Sequence, residues 1–288
     1  MRSIFNLFFS FYFPIMGMGT QILLLPSSVE ELSMGSHPTS AGLSSFNPAL
    51  SIALEKGPYL TLNRGNWFGG VALTQIGYNL KINKGITHFG LKYFGLDDLE
   101  FRNNIPEDDP LSSFNAYGLL LNGGMSFKRS VHRYGFTFSY IQFGVYTENS
   151  KGLSLNIGYA MKLNNGLTLG FSMQNIGAMS EFYLKNPSLP RRISFGISKK
   201  IRFEQYQNEV FGSFELNSII SSYKLNFGNH FQWNRFNIYT GYSISENVTE
   251  SSAGVGLKMD QYQITYGIRM GSQGLGLPSL LSLRILLP

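Results

Sequence analysis

Residues 153–174 read LSLNIGYAMKLNNGLTLGFSMQ, two runs in which apolar side chains alternate with small or polar ones. One face of the first run carries Leu153, Leu155, Ile157, Tyr159 and Met161, and one face of the second carries Leu167, Leu169, Phe171 and Met173. A period of two is the pattern of a β-strand, whose successive side chains point to opposite faces. Asn164-Asn165-Gly166 between the runs predicts a hairpin turn, because Asn and Gly accept the positive φ that tight turns need.

The same alternation recurs along the chain and predicts fourteen strands. An even number agrees with a closed bacterial barrel that has both termini on its periplasmic side. The predicted strands are 58–67, 70–82, 86–96, 113–128, 132–146, 151–163, 167–176, 191–203, 208–219, 223–233, 235–245, 250–259, 261–271 and 280–287.

The composition favours a barrel in a membrane. Charged residues make up only 14%, with 32 Gly, 24 Phe and 16 Tyr, yet the mean hydropathy is −0.03. A transmembrane barrel has a neutral average because one face of each strand meets lipid and the other a polar lumen. No run after residue 25 has the roughly 18 to 20 apolar residues of a membrane-spanning helix. A soluble sandwich also alternates, but strands of about ten residues with aromatic residues near their ends favour the membrane barrel.

Three regions are predicted. Residues 1–19 resemble a secretory signal peptide, with Arg2 before an apolar run and Gly17-Met18-Gly19 at the expected cleavage site. Residues 20–57 are expected to form a periplasmic segment or a plug, since fourteen strands enclose more space than their own side chains fill. The transmembrane β-barrel is predicted for residues 58–288. The resulting fold class is an all-β, antiparallel outer-membrane barrel with a plug-like N-terminal segment, located in the bacterial outer membrane.

The connections between the predicted strands differ in length and in charge. Those at 97–112, 177–190 and 272–279 are long and are predicted to be external. The first contains a group of acidic residues that we predict to contact an external partner: Asp97, Asp98, Glu100, Glu107, Asp108 and Asp109. Their spacing matches no calcium-binding loop, so a solvated loop is expected rather than a metal site.

The sequence contains no recognisable catalytic or cofactor-binding pattern. There is no cysteine, and the four histidines are far apart without the paired spacing of zinc ligands. No Gly-x-Ser-x-Gly turn or phosphate-binding loop is present. The net charge of +6 comes from dispersed basic residues, which argues against a nucleic-acid interface. We therefore predict no enzyme, no metal and no cofactor, and outer-membrane lipid as a contact.

Three stretches together resemble a known family. Residues 41–50, AGLSSFNPAL, resemble the Asn-Pro-Ala segment that precedes the first strand in FadL-like barrels. Residues 166–177, GLTLGFSMQNIG, resemble a strand of the PorV/PorQ family, and 189–196, LPRRISFG, are similar to the entry to that family's next strand. The resemblance implies a fourteen-stranded barrel of the FadL type associated with type IX protein secretion, and a protein that is not an enzyme.

Three functions follow as hypotheses. By the resemblance, the barrel is an accessory of type IX secretion and surface attachment that binds C-terminal domains of secreted cargo or other secretion components. The alternative is a FadL-like transporter of hydrophobic small molecules, with ligand or plug candidates at Phe46, Asn47, Pro48, Ala49 and Leu50. The leucines at 23, 24, 25, 32 and 43 are further candidates to line a pocket, or to anchor the segment to the wall. The third hypothesis is a structural barrel that binds no ligand.

Overall fold

The structure is a computed structural model and describes residues 19–35, 38–42, 46–53, 57–82, 85–102, 108–218, 223–272 and 276–288. The predicted signal peptide therefore lies outside the described residues except for Gly19. Within the described ranges, no helix is both long enough and apolar enough to cross a membrane.

Fourteen antiparallel strands close into a barrel, which confirms the predicted fold class. Each strand pairs with its neighbours in sequence, and the first pairs with the last from Tyr59↔Leu286 to Asn66↔Ser279. The strands are β1 Tyr59–Asn66, β2 Ala72–Ile82, β3 Gly85–Phe101, β4 Ser112–Arg129, β5 His132–Val145, β6 Glu148–Lys162, β7 Leu167–Met179, β8 Arg192–Arg202, β9 Tyr206–Asn217, β10 Tyr223–Trp233, β11 Phe236–Ser245, β12 Thr249–Met259, β13 Tyr262–Gly271 and β14 Ser279–Leu286.

The barrel has two unlike ends. At the turn end, where β1 begins and β14 finishes, the connections are short and include 130–131, 163–166 and 234–235. At the loop end lie longer connections, notably 102–111 and 180–191. This asymmetry is typical of outer-membrane barrels, whose periplasmic turns are shorter than their external loops.

The hairpin of β3 and β4 is longer than the alternation predicted. Residues 97–101 and 112 belong to strands rather than to a loop, and β4 residues 112–114 pair only with β3, so this hairpin projects beyond the rim. A bulge between Leu96 and Leu99 interrupts the register, and Asp98 within it has a φ of 57°. The extra residues of a bulge break the period of two, which is why the sequence pattern stops early.

Apolar side chains cover the outer face of the wall. Phe138 is 60% exposed, Leu153 68% and Val255 60%, and similar residues occur on every side of the barrel. The inward positions of the same strands are small or polar, as with Ser139 and Ser154, which are both buried. An apolar exterior around a polar interior is the arrangement that a lipid environment favours.

The described residues of the N-terminal segment, 19–35, 38–42 and 46–53, lie inside the barrel. It contains a 3₁₀ helix at Thr20–Leu24, the short helix α1 at Val29–Ser33, and a second 3₁₀ helix at Pro48–Ala53. Helix α1 packs against β11–β14, and the second 3₁₀ helix packs against β3–β6. The Ser28 hydroxyl accepts a hydrogen bond from the Glu31 N–H (3.2 Å) and the Glu31 carboxylate accepts one from the Ser27 N–H (2.7 Å), so both caps fix the start of α1.

A ring of glycines lets this segment approach the wall. A Cβ on Gly135 would lie 2.4 Å from the carbonyl carbon of Pro48, and one on Gly241 only 2.0 Å from the nitrogen of Gly35. The glycine ring consists of Gly135, Gly158, Gly170, Gly196, Gly228, Gly241, Gly254 and Gly267. At Gly135, Gly170 and Gly241 the wall packs directly on the backbone of the segment, and at Gly254 and Gly267 it packs on the side chains of Ser33 and Val29. A side chain at these positions would therefore displace the segment.

Candidate functional site

Among the described residues, a cavity at each end of the lumen is lined by the wall and the N-terminal segment, and a narrow polar chamber lies between them. The loop-end cavity has a volume of about 310 Å³, within the range of small-molecule pockets. Its lining is almost entirely apolar and includes Ile22, Leu24, Leu25, Trp67, Phe68, Val71, Phe94, Tyr117, Phe143 and Val145.

The loop-end cavity is built by the first 3₁₀ helix, the β1–β2 loop and the inner faces of β3–β5. The 3₁₀ helix supplies Leu24, and the β1–β2 loop supplies Trp67 and Phe68, whose rings meet edge to face at 5.3 Å. The β7–β8 loop packs beside the cavity, where the ring centroids of Phe182 and Phe143 are 5.2 Å apart. The loop is tied to the segment by the Thr20 hydroxyl, which donates to the Ser188 carbonyl (2.8 Å).

A buried lysine marks the boundary between the apolar cavity and the polar chamber. The Lys92 ammonium donates to the carbonyl of Leu25 (2.6 Å) and to the hydroxyl of Ser27 (3.0 Å). It also lies 4.8 Å from the centroid of the Phe94 ring, which lines the apolar side. The polar chamber below has a volume of only about 150 Å³, so the segment narrows the lumen strongly at this level.

A belt of paired charges lines the opposite half of the wall, from β8 to β13. Glu250 accepts from Lys224 (2.5 Å) and from the Ser243 hydroxyl (2.9 Å), and it lies 3.4 Å from Arg269. Further along, Arg192 and Glu215 are 3.8 Å apart, both nearly inaccessible to solvent. Removing one partner from such a buried pair leaves an uncompensated charge, so the belt ties these strands together.

The turn-end cavity has the same volume, about 310 Å³, but an opposite lining. Its six basic residues are Arg133, Lys162, Lys200, Arg202, Lys258 and Arg284, and its two acidic residues are Glu30 and Glu209. Both carboxylates already face a cation, since Glu30 accepts from Arg284 (2.8 Å) and Glu209 lies 3.6 Å from Lys200. The cavity shares Lys162, Lys200 and Arg202 with an adjoining groove of about 610 Å³ that opens between the turns.

The five predicted plug or ligand residues lie in one short stretch against β5, β6 and β7. Asn47 is buried and its side-chain N–H groups donate to the carbonyls of Thr39 (2.7 Å) and Tyr159 (3.1 Å). The Asn47 side-chain carbonyl accepts from the Ala49 N–H (3.1 Å). The Phe46 ring lies under the Arg192 guanidinium, 4.0 Å from its carbon, and the Phe46 carbonyl accepts from Gln174.

Of these residues, Phe46 and Pro48 line the polar chamber and Leu50 lines the turn-end cavity. Ala49 is fully buried beside Ala160. The contacts of this stretch are those of an anchor to the wall. Among the leucine candidates, Leu24 and Leu25 line the loop-end cavity, Leu23 and Leu32 pack in the core, and Leu43 lies outside the described residues.

The acidic residues lie together on the projecting hairpin at the loop end. All of those described are exposed, and only Glu100 forms an ion pair within it, accepting from Arg102 at 2.7 Å. The described members are Asp97, Asp98, Glu100, Asp108 and Asp109, whereas Glu107 lies outside the described residues. In the part of the chain that the structure describes, no three His, Cys, Asp or Glu side chains gather as metal ligands.

The aromatic residues of the loop-end cavity were not predicted from the sequence. Phe94 on β3 and Phe143 on β5 face inward at positions where a polar residue is expected for a water-filled lumen. One feature of the sequence did indicate them. Tyr93 and Phe94 are adjacent apolar residues near the end of a strand, so one of them must face the lumen. The sequence around Trp67, in the β1–β2 loop, has no alternation that would indicate a position in the lumen.

The comparisons with known proteins identify the same fold in solved structures. No protein-family model matches the chain, and no curated protein matches it. The chain is similar to a TodX deltaS2S3 mutant monoaromatic hydrocarbon channel, with 11% identity, a TM-score of 0.69, and coverage of 92% of this chain and 100% of that one.

Two further solved structures have a similar fold. The Pseudomonas putida toluene transporter TodX has 12% identity and a TM-score of 0.64, with 91% of this chain and 96% of that one covered. A Pseudomonas aeruginosa FadL homologue has 10% identity and a TM-score of 0.57, with coverage of 90% and 97%. At these identities the likeness concerns the fold, and the chain has the fold of the FadL-type outer-membrane channels.

Proposed function

We propose that this protein is an outer-membrane channel that takes up small hydrophobic molecules, with the loop-end cavity as its binding site. The observation that carries the proposal is that cavity, a space of about 310 Å³ with aromatic and aliphatic walls at the end of a lumen that is otherwise polar. Some of these residues, such as Phe94 and Phe143, also pack against the N-terminal segment, but a water-filled pore does not need an apolar space beside them. These residues are the lining that a hydrophobic ligand needs, because its binding removes apolar surface from water.

The similarity of the fold to those of a monoaromatic hydrocarbon channel and a toluene transporter supports this proposal. The proposal places the strands in lipid, with the loop end outside the cell and the turn end in the periplasm. It includes export by the predicted signal peptide at 1–19 and a permanent N-terminal segment at 20–57.

The two tryptophans of the chain allow a direct binding test. Trp67 lines the loop-end cavity, whereas Trp233 lies on the outer face at the turn end and is 53% exposed. In the variant W233F, Trp67 is the sole tryptophan, so its fluorescence is measured by selective excitation of tryptophan. Titration of the purified protein in detergent with bromobenzene, whose bromine quenches on contact, should give saturable quenching.

The matched variant W67F supplies the control. Trp233 faces the detergent, so bromobenzene should quench it only in proportion to the amount dissolved in the micelle. Adding F143E to W233F should abolish the saturable phase while K162Q, at the other end of the lumen, should leave it intact. Equal and linear quenching of both tryptophans would refute the proposed binding site.

Protein binding is a second candidate function, favoured by the projecting acidic hairpin. Its exposed carboxylates stand beyond the rim, where a secreted protein or a surface-attachment component with a basic face is able to reach them. This is the type IX secretion role that the family resemblance implies. Replacing Asp97, Asp98, Asp108 and Asp109 by Asn should then reduce surface attachment of signal-bearing cargo, and unchanged attachment would refute this role.

A further inference from the structure

We propose that the polar chamber binds a small uncharged polyol, a molecule of the size of glycerol with several hydroxyl groups. This site lies between the two cavities and does not depend on the proposed function, which concerns the loop-end cavity. The inference starts from three buried side-chain oxygens that line the chamber and accept no hydrogen bond from the described residues. They belong to Glu30, Asn63 and Gln75.

Two of these oxygens are neighbours on the wall. Asn63 on β1 and Gln75 on β2 are directly opposite in register, and such paired side chains have Cβ atoms about 5 Å apart. Asn63 is 3% exposed, and its side-chain N–H donates to the Ser27 carbonyl (3.0 Å). Because a carbonyl only accepts hydrogen bonds, the amide nitrogen must face Ser27, and the amide oxygen remains for another donor.

The N-terminal segment supplies the third oxygen. Glu30 is 7% exposed, and one of its carboxylate oxygens accepts from Arg284 (2.8 Å), while the other has no donor among the described residues. The Arg284 Nε–H group likewise has no acceptor in the part of the chain that the structure describes. Buried polar groups without partners are costly, so we expect the chamber to hold a molecule that both donates and accepts hydrogen bonds.

The charges around the chamber favour an uncharged ligand. A carboxylate or similar anion has no hydrogen to donate to the three oxygens. A cation has hydrogens to donate, but Lys92 on β3 lies directly opposite Gln75, and its ammonium would repel a second positive charge. Hydroxyl groups donate to the oxygens and accept from the Arg284 Nε–H group without adding charge.

The size and lining of the chamber limit the ligand to a small polar molecule. Its volume of about 150 Å³ is half that of either cavity and below the roughly 300 Å³ at which most small-molecule pockets begin. Further amide and hydroxyl side chains complete the polar lining, among them Asn79, Asn122, Thr137 and Ser139.

The chamber is reached from the turn end of the lumen. Glu30 and Arg284 line both the chamber and the turn-end cavity, so their ion pair lies at the boundary between the two spaces. On the other side, Lys92 separates the chamber from the apolar loop-end cavity. A polar solute therefore enters without crossing the hydrophobic site.

The test uses saturation-transfer NMR, which detects weakly bound small molecules, on the full chain in a perdeuterated detergent without sugar groups. We expect a saturable signal for glycerol. Ethanolamine, which is a cation, and 1-propanol, which has one hydroxyl on the same carbon chain, should each bind at least about tenfold more weakly. Equal affinities for the three molecules would overturn the assignment to a polyol. No saturable signal for glycerol would show that the chamber holds water only, and would also overturn it.

A matched pair of variants locates the bound glycerol. Q75M removes one acceptor while keeping a side chain of similar length, and should lower the affinity for glycerol by about tenfold. Q232M makes the same change on β10, where Gln232 lines the turn-end cavity, and should stay within about twofold of the unmodified chain. Equal losses in both variants would refute the site, and resistance to SDS before heating verifies that each variant has folded.

A competition measurement on the unmodified chain separates this site from the hydrophobic one. Saturating bromobenzene should leave the glycerol signal unchanged, because the two spaces lie on opposite sides of Lys92. Displacement of glycerol by bromobenzene would place the polyol in the loop-end cavity and overturn the proposal. Glycerol binding without quenching of Trp67 would support the chamber site while refuting the proposed hydrophobic site.

Discussion

The two ends of this lumen contain cavities of equal volume, about 310 Å³, with opposite chemistry. A single strand contributes to both. β5 places Arg133 in the turn-end cavity and Phe143 in the loop-end cavity, and both side chains face inward. The period of two therefore determines whether a side chain faces the lumen or the lipid. The position of that residue along the strand, near one end of the barrel or the other, determines whether a polar or an apolar side chain is suitable.

The largest expected effect is a difference in the stability of the barrel between two variants, each of which places a carboxylate in one of the cavities. F94E introduces a charge into the apolar cavity and removes a ring that is 2% exposed. Loss of a buried Phe alone costs about 3–5 kcal/mol, and the unpaired charge adds to that cost. Q207E places the same group near Arg202, which bonds Gln207 at 3.3 Å, and should change stability by less than about 1 kcal/mol.

Urea unfolding in lipid vesicles, followed by the loss of resistance to SDS, measures both variants under the same conditions. If Q207E destabilised the barrel as much as F94E, the contrast in polarity between the two cavities would be wrong.

A smaller effect is expected on ligand binding at the loop end. L24Q replaces an apolar lining residue by an amide of similar length, which the cavity offers little to hydrogen-bond. The affinity for bromobenzene should fall by about tenfold, the equivalent of 1.4 kcal/mol. Trp67 fluorescence in the W233F background reports the change. An unaltered affinity in L24Q would place the ligand elsewhere.

The barrel itself could be predicted from the sequence because alternation is a local property. The predicted spans at 132–146, 223–233 and 235–245 agree with β5, β10 and β11 to within one residue at each end. β3 was predicted to end at 96 but continues to Phe101, because the bulge that includes Asp98 shifts the alternation without ending the strand.

The cavities could not be predicted in the same way, because they depend on how the N-terminal segment packs. The leucines at 24 and 25 were candidates for a pocket, but only the fold brings them together with Trp67 and Phe143. The basic residues of the turn-end cavity are single cations spread over 150 residues of sequence, and the closure of the barrel makes them neighbours. Plug or ligand roles for Phe46 to Leu50 and partner binding by the acidic hairpin stay predictions.

The glycine ring has a consequence for the order of assembly. A methyl group at any of the eight positions of the glycine ring, each on a different strand, would lie 3.0 Å or less from an atom of the N-terminal segment. A barrel that had already closed would admit the segment only by threading some thirty residues of chain through this narrow space. We therefore expect the strands to close around a segment that is already in place, so that the last pairing to form, β1 with β14, seals the segment inside.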